Sequence, residues 1–309
     1  MVERCTICLA ALDDAASAAR GVHAKCARAL FGVSAPPSIE LDPEQLYLFG
    51  QQMAGRTTLS GVQSKVSLGW HQKTLRVRAP ISAYILKPQS ATYPELPQNE
   101  HVCMRIAELA GIEVATCGLV RLSNDSLALI VARVDREGER RIAMEDFCQL
   151  SAKLPREKYD GSAELCSRIV RSYAAEPRID AQRLFRQVLV SWWIGNGDLH
   201  LKNLALLSRD PSRPKLSPAY DLLSTRLVIA DDPLALPVRG KRSNLDRSDW
   251  LAFAEYNELP PKLAKLELER IANALPDALA LVEASFLRAE FRATLAELLV
   301  ERVRVLAGA

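Results

Sequence analysis

The chain has 309 residues, 49% of them hydrophobic and 25% charged, and its 40 basic and 37 acidic side chains leave a formal net charge of +3. That is globular composition, with length for one large or two medium cores. So even a balance gives no electrostatic case for direct binding to nucleic acid or to an anionic membrane.

Residues 1–32 contain Cys5-x2-Cys8 and then His23-x2-Cys26. Two close pairs separated by a short, mostly helical stretch is metal-ligand spacing. Three thiolates and one imidazole would make a closed, structural zinc site, and a metal would explain how so short a segment stays compact. The alternative is a helix with incidental cysteines and one exposed histidine. The same N-terminus carries Glu3, Asp13 and Asp14 and no signal-peptide apolar core, and no apolar run in the chain is long enough to span a bilayer. A cytoplasmic location is expected, and seven cysteines, an odd number, argue against a disulfide framework.

Residues 33–54 read as a linker. VSAPPSIELDPEQLYLFG has three prolines and room for one short helix. The unit at 55–135 is strand-rich. VSLGW and TLRVRA alternate and suit a hairpin turning near His71-Gln72, and YILKP follows as a third strand. Pro94 to Gly111 reads as a helix with Val102, Ile106, Leu109 and Ala110 on one face, and CGLVRLSN and LALIVARVD as two more strands. From about residue 144 the pattern is mainly helical, ending in a long tract broken once. The expected layout is α+β: a small β-rich lobe, then a larger helical lobe over 136–309, with the chemistry where the two meet.

Several polar residues are stranded among apolar ones. Lys87 ends a strand, Glu100 lies on the next helix, Asp198 and Asn203 share the loop NGDLHLKN, and Asp221 sits in SPAYDLLS. A nucleoside triphosphate needs a cation on its phosphates, a carboxylate holding that cation, oxygen ligands for Mg²⁺ and a base for the attacking hydroxyl. Asn203 and Asp221 are hard ligands of the kind magnesium takes. Asp198 fits the base, and Asp-x4-Asn is the spacing protein kinases use. A weaker signal is TLSGVQSK, residues 58–65, a Ser-Gly loop that can turn amides toward a phosphate or can simply be a turn.

These segments together resemble the HipA family of serine/threonine kinases, the toxins of bacterial toxin–antitoxin systems. The resemblance runs over roughly residues 55 to 300 and rests on TLSGVQSK, YILKP, QNEHVCMRIAELAGI, ARVDR, MEDFCQL, GNGDLHLKNLALL and SPAYDLLST, in the family's order. It implies a two-lobed, protein-kinase-like fold, ATP and magnesium, and phosphorylation of a protein serine or threonine, in known members an aminoacyl-tRNA synthetase. Carried over, Asp198 resembles the proton acceptor, and Asn203 and Asp221 the metal ligands. Lys87 resembles the phosphate-binding lysine and Glu100 its partner. Ser60, Gly61, Val62, Gln63, Ser64 and Lys65 resemble the phosphate loop. Ala132, Arg133 and Val134 resemble the adenine hinge, and His200, Leu201, Lys202 and Tyr220 the lining of the nucleotide. His200 could equally brace its own loop. Thr58 and Ser60 resemble autophosphorylation sites, with threonine at 58 where serine is more usual.

Long members of the family open with a further N-terminal subdomain. Here the Cys/His segment stands in that place, and GVHAKCARALFG resembles an element of some short HipA-like proteins. The resemblance is therefore to the short kinase of three-gene HipBST-type systems. The implied partners are a DNA-binding HipB-like antitoxin and a separate HipS-like protein equivalent to the missing subdomain. A small-molecule kinase and a pseudokinase that only binds partners are the other readings.

Overall fold

The computed structural model describes residues 3–41, 65–77, 82–123, 125–138 and 140–308. Thr58 and Ser60 to Ser64 lie outside the described residues.

The hairpin forms where the alternation places it. β2 (Val66–His71) and β3 (Thr74–Val77) pair antiparallel, with Gln72 in the left-handed region at the turn. β4 (Tyr84–Lys87) lies between β2 and β6 (Leu127–Ala132), and β5 (Cys117–Arg121) closes one edge. The other edge departs from expectation: Ser38–Glu40 of the supposed linker is a strand, β1, added parallel to β3. The six-stranded order is β1-β3-β2-β4-β6-β5. The rest of that linker, 42–54, lies outside the described residues.

The N-terminal segment is built into this sheet. Its two short helices, α1 (Ala15–Arg20) and α2 (Ala24–Phe31), each end on a glycine with positive φ. Ile7, Val22, Ala27, Leu30 and Phe31 share a buried cluster with Leu68, Leu75, Leu86 and Ile130 of the strands. The sheet thus gains a cover that removes apolar area from water.

α3 (Leu96–Leu109) has Pro97 in its first turn and is followed by Gly111 at φ +84°. It buries Val102, Met104 and Ile106 in the main core. Beyond it the chain is less purely helical than its pattern suggests. β7 (Arg136–Glu137) and β8 (Arg140–Arg141) form a two-stranded ribbon, and β9 (Ala143–Asp146), β10 (Ala205–Ser208) and β11 (Lys215–Leu216) form a three-stranded sheet in the order β11-β10-β9. Strands of two to four residues are too short to carry a period. The helices are α4 (Phe147–Leu150), α5 (Ala163–Tyr173), α6 (Pro177–Trp193), α7 (Arg247–Tyr256), α8 (Pro261–Ala284) and α9 (Ala289–Ala307). The terminal tract breaks once, at residues 285–288, as its pattern indicates. Among the described residues no helix is long and apolar enough to cross a membrane, and all seven cysteines are free thiols.

Candidate active site

α6 ends at Trp193, and Gly195 turns the chain at φ +77°. A Cβ on Gly197 would fall 2.0 Å from Asp232 Oδ2 and 2.8 Å from the Pro233 carbonyl, so the loop closes only around glycine. The amide of Gly197 donates to Thr225 Oγ1 (2.9 Å), the Asp198 amide donates to Asn196 Oδ1 (3.0 Å), and Asn203 Nδ2 donates to the Asp198 carbonyl (3.0 Å). The spacing of NGDLHLKN therefore makes a loop stitched to itself. The last of these bonds uses the amide nitrogen of Asn203 and leaves its Oδ1 as the ligand atom.

A second loop delivers Asp221. Val114 and Ala219 form a parallel bridge, with the Ala219 amide donating to Glu113 O and the Ala115 amide to Ala219 O (both 2.8 Å). Two residues later Asp221 adopts φ +58°, a strained conformation for a residue with a side chain. Its carboxylate meets two lysines. Lys65 Nζ lies 2.7 Å from Oδ2, and Lys87, at the end of β4, donates to Oδ1. Lys87 also donates to Glu100 Oε1 at 2.6 Å. The expected strand lysine, helix glutamate and loop aspartate are thus one cluster, with Lys87 and Glu100 buried and Asp221 partly so.

The three differ in how firmly they hold their charge. Burial opposes the Asp221 carboxylate, yet Lys65 and Lys87 keep it well below the usual range. Burial also opposes the Lys87 ammonium, and Asp221, then Glu100, more than offset it. Glu100 is the weak member: burial pushes its carboxyl up by more than Lys87 pulls it down, and its Oε2 has no hydrogen-bond partner among the described residues.

Beside this cluster is a cleft of about 330 Å3. Lys65, Lys87, Ala132, Arg133, Val134, His200, Lys202, Asn203, Tyr220 and Asp221 all line it, with Ile85, Val131 and Met144 as apolar walls. Apolar walls with convergent charges at one end suit a base with a phosphate tail. Two expected liners stand elsewhere. Leu201 is fully buried and packs where a Cβ on Gly161 would be, 3.0 Å away. Glu100 acts behind Lys87. At the hinge, the Ala132 and Arg133 amides already donate to Thr116 O (2.8 Å) and Ala83 O (2.9 Å), so they serve the protein rather than a ligand.

Asp198 is 7% exposed, and burial pushes its pKa up to about 6, against the pull of Tyr159 and Lys158. The Tyr159 hydroxyl donates to Asp198 Oδ1 at 2.7 Å. Its ring also stands edge-on to His200, 5.2 Å between centroids. Tyr159 is a site residue that the sequence reading missed; it sits in EKYDG, a stretch with no motif and no period. His200 is buried with neither ring nitrogen bonded to a partner among the described residues, and burial, then Lys158, bring its pKa down to about 4. A neutral imidazole with an open nitrogen can accept or donate one hydrogen bond to a ligand.

The Cys/His segment makes a second cluster. The ligand atoms of Cys5, Cys8, His23 and Cys26 all lie within 4.8 Å of one another. His23 Nε2 donates to Ala11 O at 3.0 Å, which leaves the lone pair on Nδ1, facing Cys8 Sγ at 3.4 Å and Cys26 Sγ at 3.9 Å. Three sulfurs and an oriented imidazole nitrogen fit a closed tetrahedral zinc site with no position for a substrate.

The family model described as the HipA-like C-terminal domain matches residues 57–279. "Putative kinase Y4dM" of Sinorhizobium fredii is 34% identical over 255 residues, covering 77% of this chain and 59% of that protein. "Serine/threonine-protein kinase toxin HipA" of Shewanella oneidensis is 28% identical over 250 residues, covering 73% and 57%. The chain therefore spans less than two thirds of the length of these curated relatives. Among solved structures, a chain of the Shewanella oneidensis complex of HipA, HipB and operator DNA superposes with a TM-score of 0.72 at 22% identity, over 82% of this chain and 66% of that one. The Helicobacter pylori proinflammatory kinase CtkA superposes with a TM-score of 0.57 at 16% identity, over 88% and 96%. At these identities the two structures speak for the fold, a kinase-like mixture of sheet and helices.

Proposed function

This chain belongs to the HipA-like C-terminal domain family, and on that premise we propose that it is a serine/threonine protein kinase using ATP and magnesium. The observation that carries the reading is the cluster of Lys87, Glu100 and Asp221 beside the self-stitched loop of Asp198 and Asn203. Base, cation, its carboxylate partner and two oxygen ligands belong to one site, which is the set phosphoryl transfer requires.

In this reading the adenine lies between Ile85, Val131 and Met144, and Lys87 and Lys65 receive the phosphates. Asn203 Oδ1 and the Asp221 carboxylate would hold magnesium, whose charge when bound offsets that of the phosphates. Lys65 then has to leave Asp221 Oδ2, and the phosphates give it a new partner. Asp198 accepts the proton of the acceptor hydroxyl through the carboxylate oxygen not bonded to Tyr159, and Glu100 keeps Lys87 in place. Thr58 and Ser60 are assigned as autophosphorylation sites.

The biological role assigned is that of a cytoplasmic toxin. It would phosphorylate a protein of translation, an aminoacyl-tRNA synthetase in the family's pattern, and be restrained by a HipB-like DNA-binding antitoxin and a HipS-like partner. Support comes from the relative named as a HipA toxin and from the HipA, HipB and operator DNA complex. The deciding experiment is a bacterial lysate with labelled ATP and magnesium, comparing the protein with its Asp198→Asn variant. A labelled lysate protein present only with the parent is the expected result. Label on a sugar or antibiotic instead would favour a small-molecule kinase. ATP binding with no label anywhere would favour a pseudokinase.

The Cys/His cluster is assigned one structural zinc. Cys5→Ser is expected to lose that zinc and to cost about 3 kcal/mol of stability, since metal affinity is expressed as folding energy. Elemental analysis and thermal melting check this; unchanged zinc content in the variant sinks the assignment.

A further inference from the structure

Three consecutive residues of α3 are buried, polar and bonded in three directions. Asn99 accepts the Ser224 amide on Oδ1 and donates from Nδ2 to the Ser224 carbonyl, both at 2.8 Å, so it grips the backbone just past Asp221. Glu100 takes Lys87. His101 turns the other way, and its Nε2 donates to the carbonyl of Ile7 at 2.9 Å. A carbonyl only accepts, so the proton is fixed on Nε2. Burial brings the His101 pKa down to about 4, which keeps the ring neutral.

Ile7 lies between Cys5 and Cys8, inside the turn that brings the two thiols together. That turn is also fitted to the edge of the sheet. Thr6 O accepts the Leu119 amide at 2.8 Å, and a Cβ on Gly118 would stand 2.7 Å from Ile7 Cγ1, so β5 leaves room for Ile7 only because residue 118 is glycine. Leu9, one residue past Cys8, is buried in the same core as Val102, Met104 and Ile106 of α3. The Cys/His turn therefore touches both β5 and the helix that carries Glu100.

We propose that His101 is a positioning residue, through which the Cys/His segment sets the seat of α3 and so the Lys87–Glu100 pair that receives the nucleotide phosphates. The consequence at the nucleotide rests on the kinase reading; the link between the segment and α3 stands on the contacts alone. Adjacent residues on a helix point about 100° apart, so a helix held on both sides, by Ser224 and by Ile7, cannot roll Glu100 away from Lys87. Without the Ile7 contact a buried carbonyl loses its partner, and the docked position of α3 loses population. Apparent nucleotide affinity falls with that population, while saturating nucleotide restores it.

The test has two arms, both on the full chain. In the first, a fluorescent ATP analogue with magnesium is titrated against the parent, His101→Phe and His101→Gln. His101→Phe is expected to bind about ten-fold more weakly, the size of one lost buried hydrogen bond. Its KM for ATP should rise while kcat at saturation is retained, and His101→Gln, which keeps an N–H for Ile7, should recover the affinity. In the second, hydrogen exchange is followed across residues 96–109 in the parent and in Cys5→Ser/Cys26→Ser. Faster exchange in that helix is expected when the segment is opened. Parent-like binding by a folded His101→Phe, or an unchanged exchange pattern in 96–109, would overturn the proposal. A parent that binds no ATP would refute the kinase reading instead, and the exchange arm would still decide the link. The same arm decides if His101→Phe fails to fold.

Discussion

Asp198→Asn is expected to slow phosphoryl transfer by about a thousand-fold, the contribution of a well-placed general base, with the chain folded and Mg-ATP still bound. Asparagine keeps the volume of aspartate and an oxygen for the Tyr159 hydroxyl at the Oδ1 position. Only the basicity goes. Steady-state kinetics should therefore show the loss in kcat, with the KM for ATP near its parent value. A folded variant with parent kcat would remove Asp198 from the chemistry. Tyr159→Phe should show a smaller loss of the same kind, because it removes one bond that orients the base and leaves the carboxylate itself.

Stability should move the other way. A carboxyl whose pKa is raised to about 6 by burial is a charge the fold disfavours at neutral pH. The unfolded chain still ionises near the ordinary value, about 3.9. Between those two values the folded state binds the extra proton, so the parent gains stability from this group as pH falls through about 6. Without nucleotide or metal, Asp198→Asn should thus melt at or above the parent at pH 7.5, and the gap should narrow below pH 6. A variant that melts well below the parent at pH 7.5 would mean that Asp198 holds the loop together by its charge. Activity and stability would then be a single property of this residue instead of two opposed ones.

Lys87, Glu100, Asp198 and Asn203 are legible in the sequence for definite reasons. Lys87 and Glu100 stood out because a charged side chain at the end of an apolar strand, or on the inner face of a helix, contradicts the local pattern. Asp198 and Asn203 stand out because only four residues of one loop separate them, which fixes their relation. What stayed hidden depends on residues far apart in the chain. The Lys65–Asp221 pair spans 156 residues and the Asn99–Ser224 grip 125. Tyr159 reaches Asp198 from a segment without regular structure, where no period exists to read. Strand β1 was hidden because three residues next to prolines look like a linker until their partner β3 is known. The cysteine pairs show the opposite case. Their spacing points to four side chains that converge, as Cys5, Cys8, His23 and Cys26 do, but not to the same turn gripping α3.

Lys87→Met is expected to be the most destabilising change at the site, and its partner variant separates stability from function. Lys87 is 4% exposed and Glu100 wholly buried. Among the described residues, removing the ammonium leaves Glu100 with no cation in contact and both carboxyl oxygens unsatisfied, since Oε2 has no partner there to begin with. Breaking one side of a buried pair costs about 3–5 kcal/mol. For a chain of this size that is a fall in melting temperature of roughly 5–8 °C. Asp221 would suffer less, because Lys65 stays on its Oδ2. The double variant Lys87→Met/Glu100→Leu removes both buried charges and should recover most of the lost stability, because an apolar pair of similar volume packs without a desolvation cost. It should not recover ATP binding, since no group replaces the cation at the phosphates. Melting curves and nucleotide titration on the three proteins check this. If the double variant binds Mg-ATP like the parent, Lys87 is a structural ion and the phosphate site lies elsewhere. If it stays as unstable as the single variant, the cluster is held by Asp221 and Lys87 alone, and Glu100 is not the counter-charge on which α3 is seated.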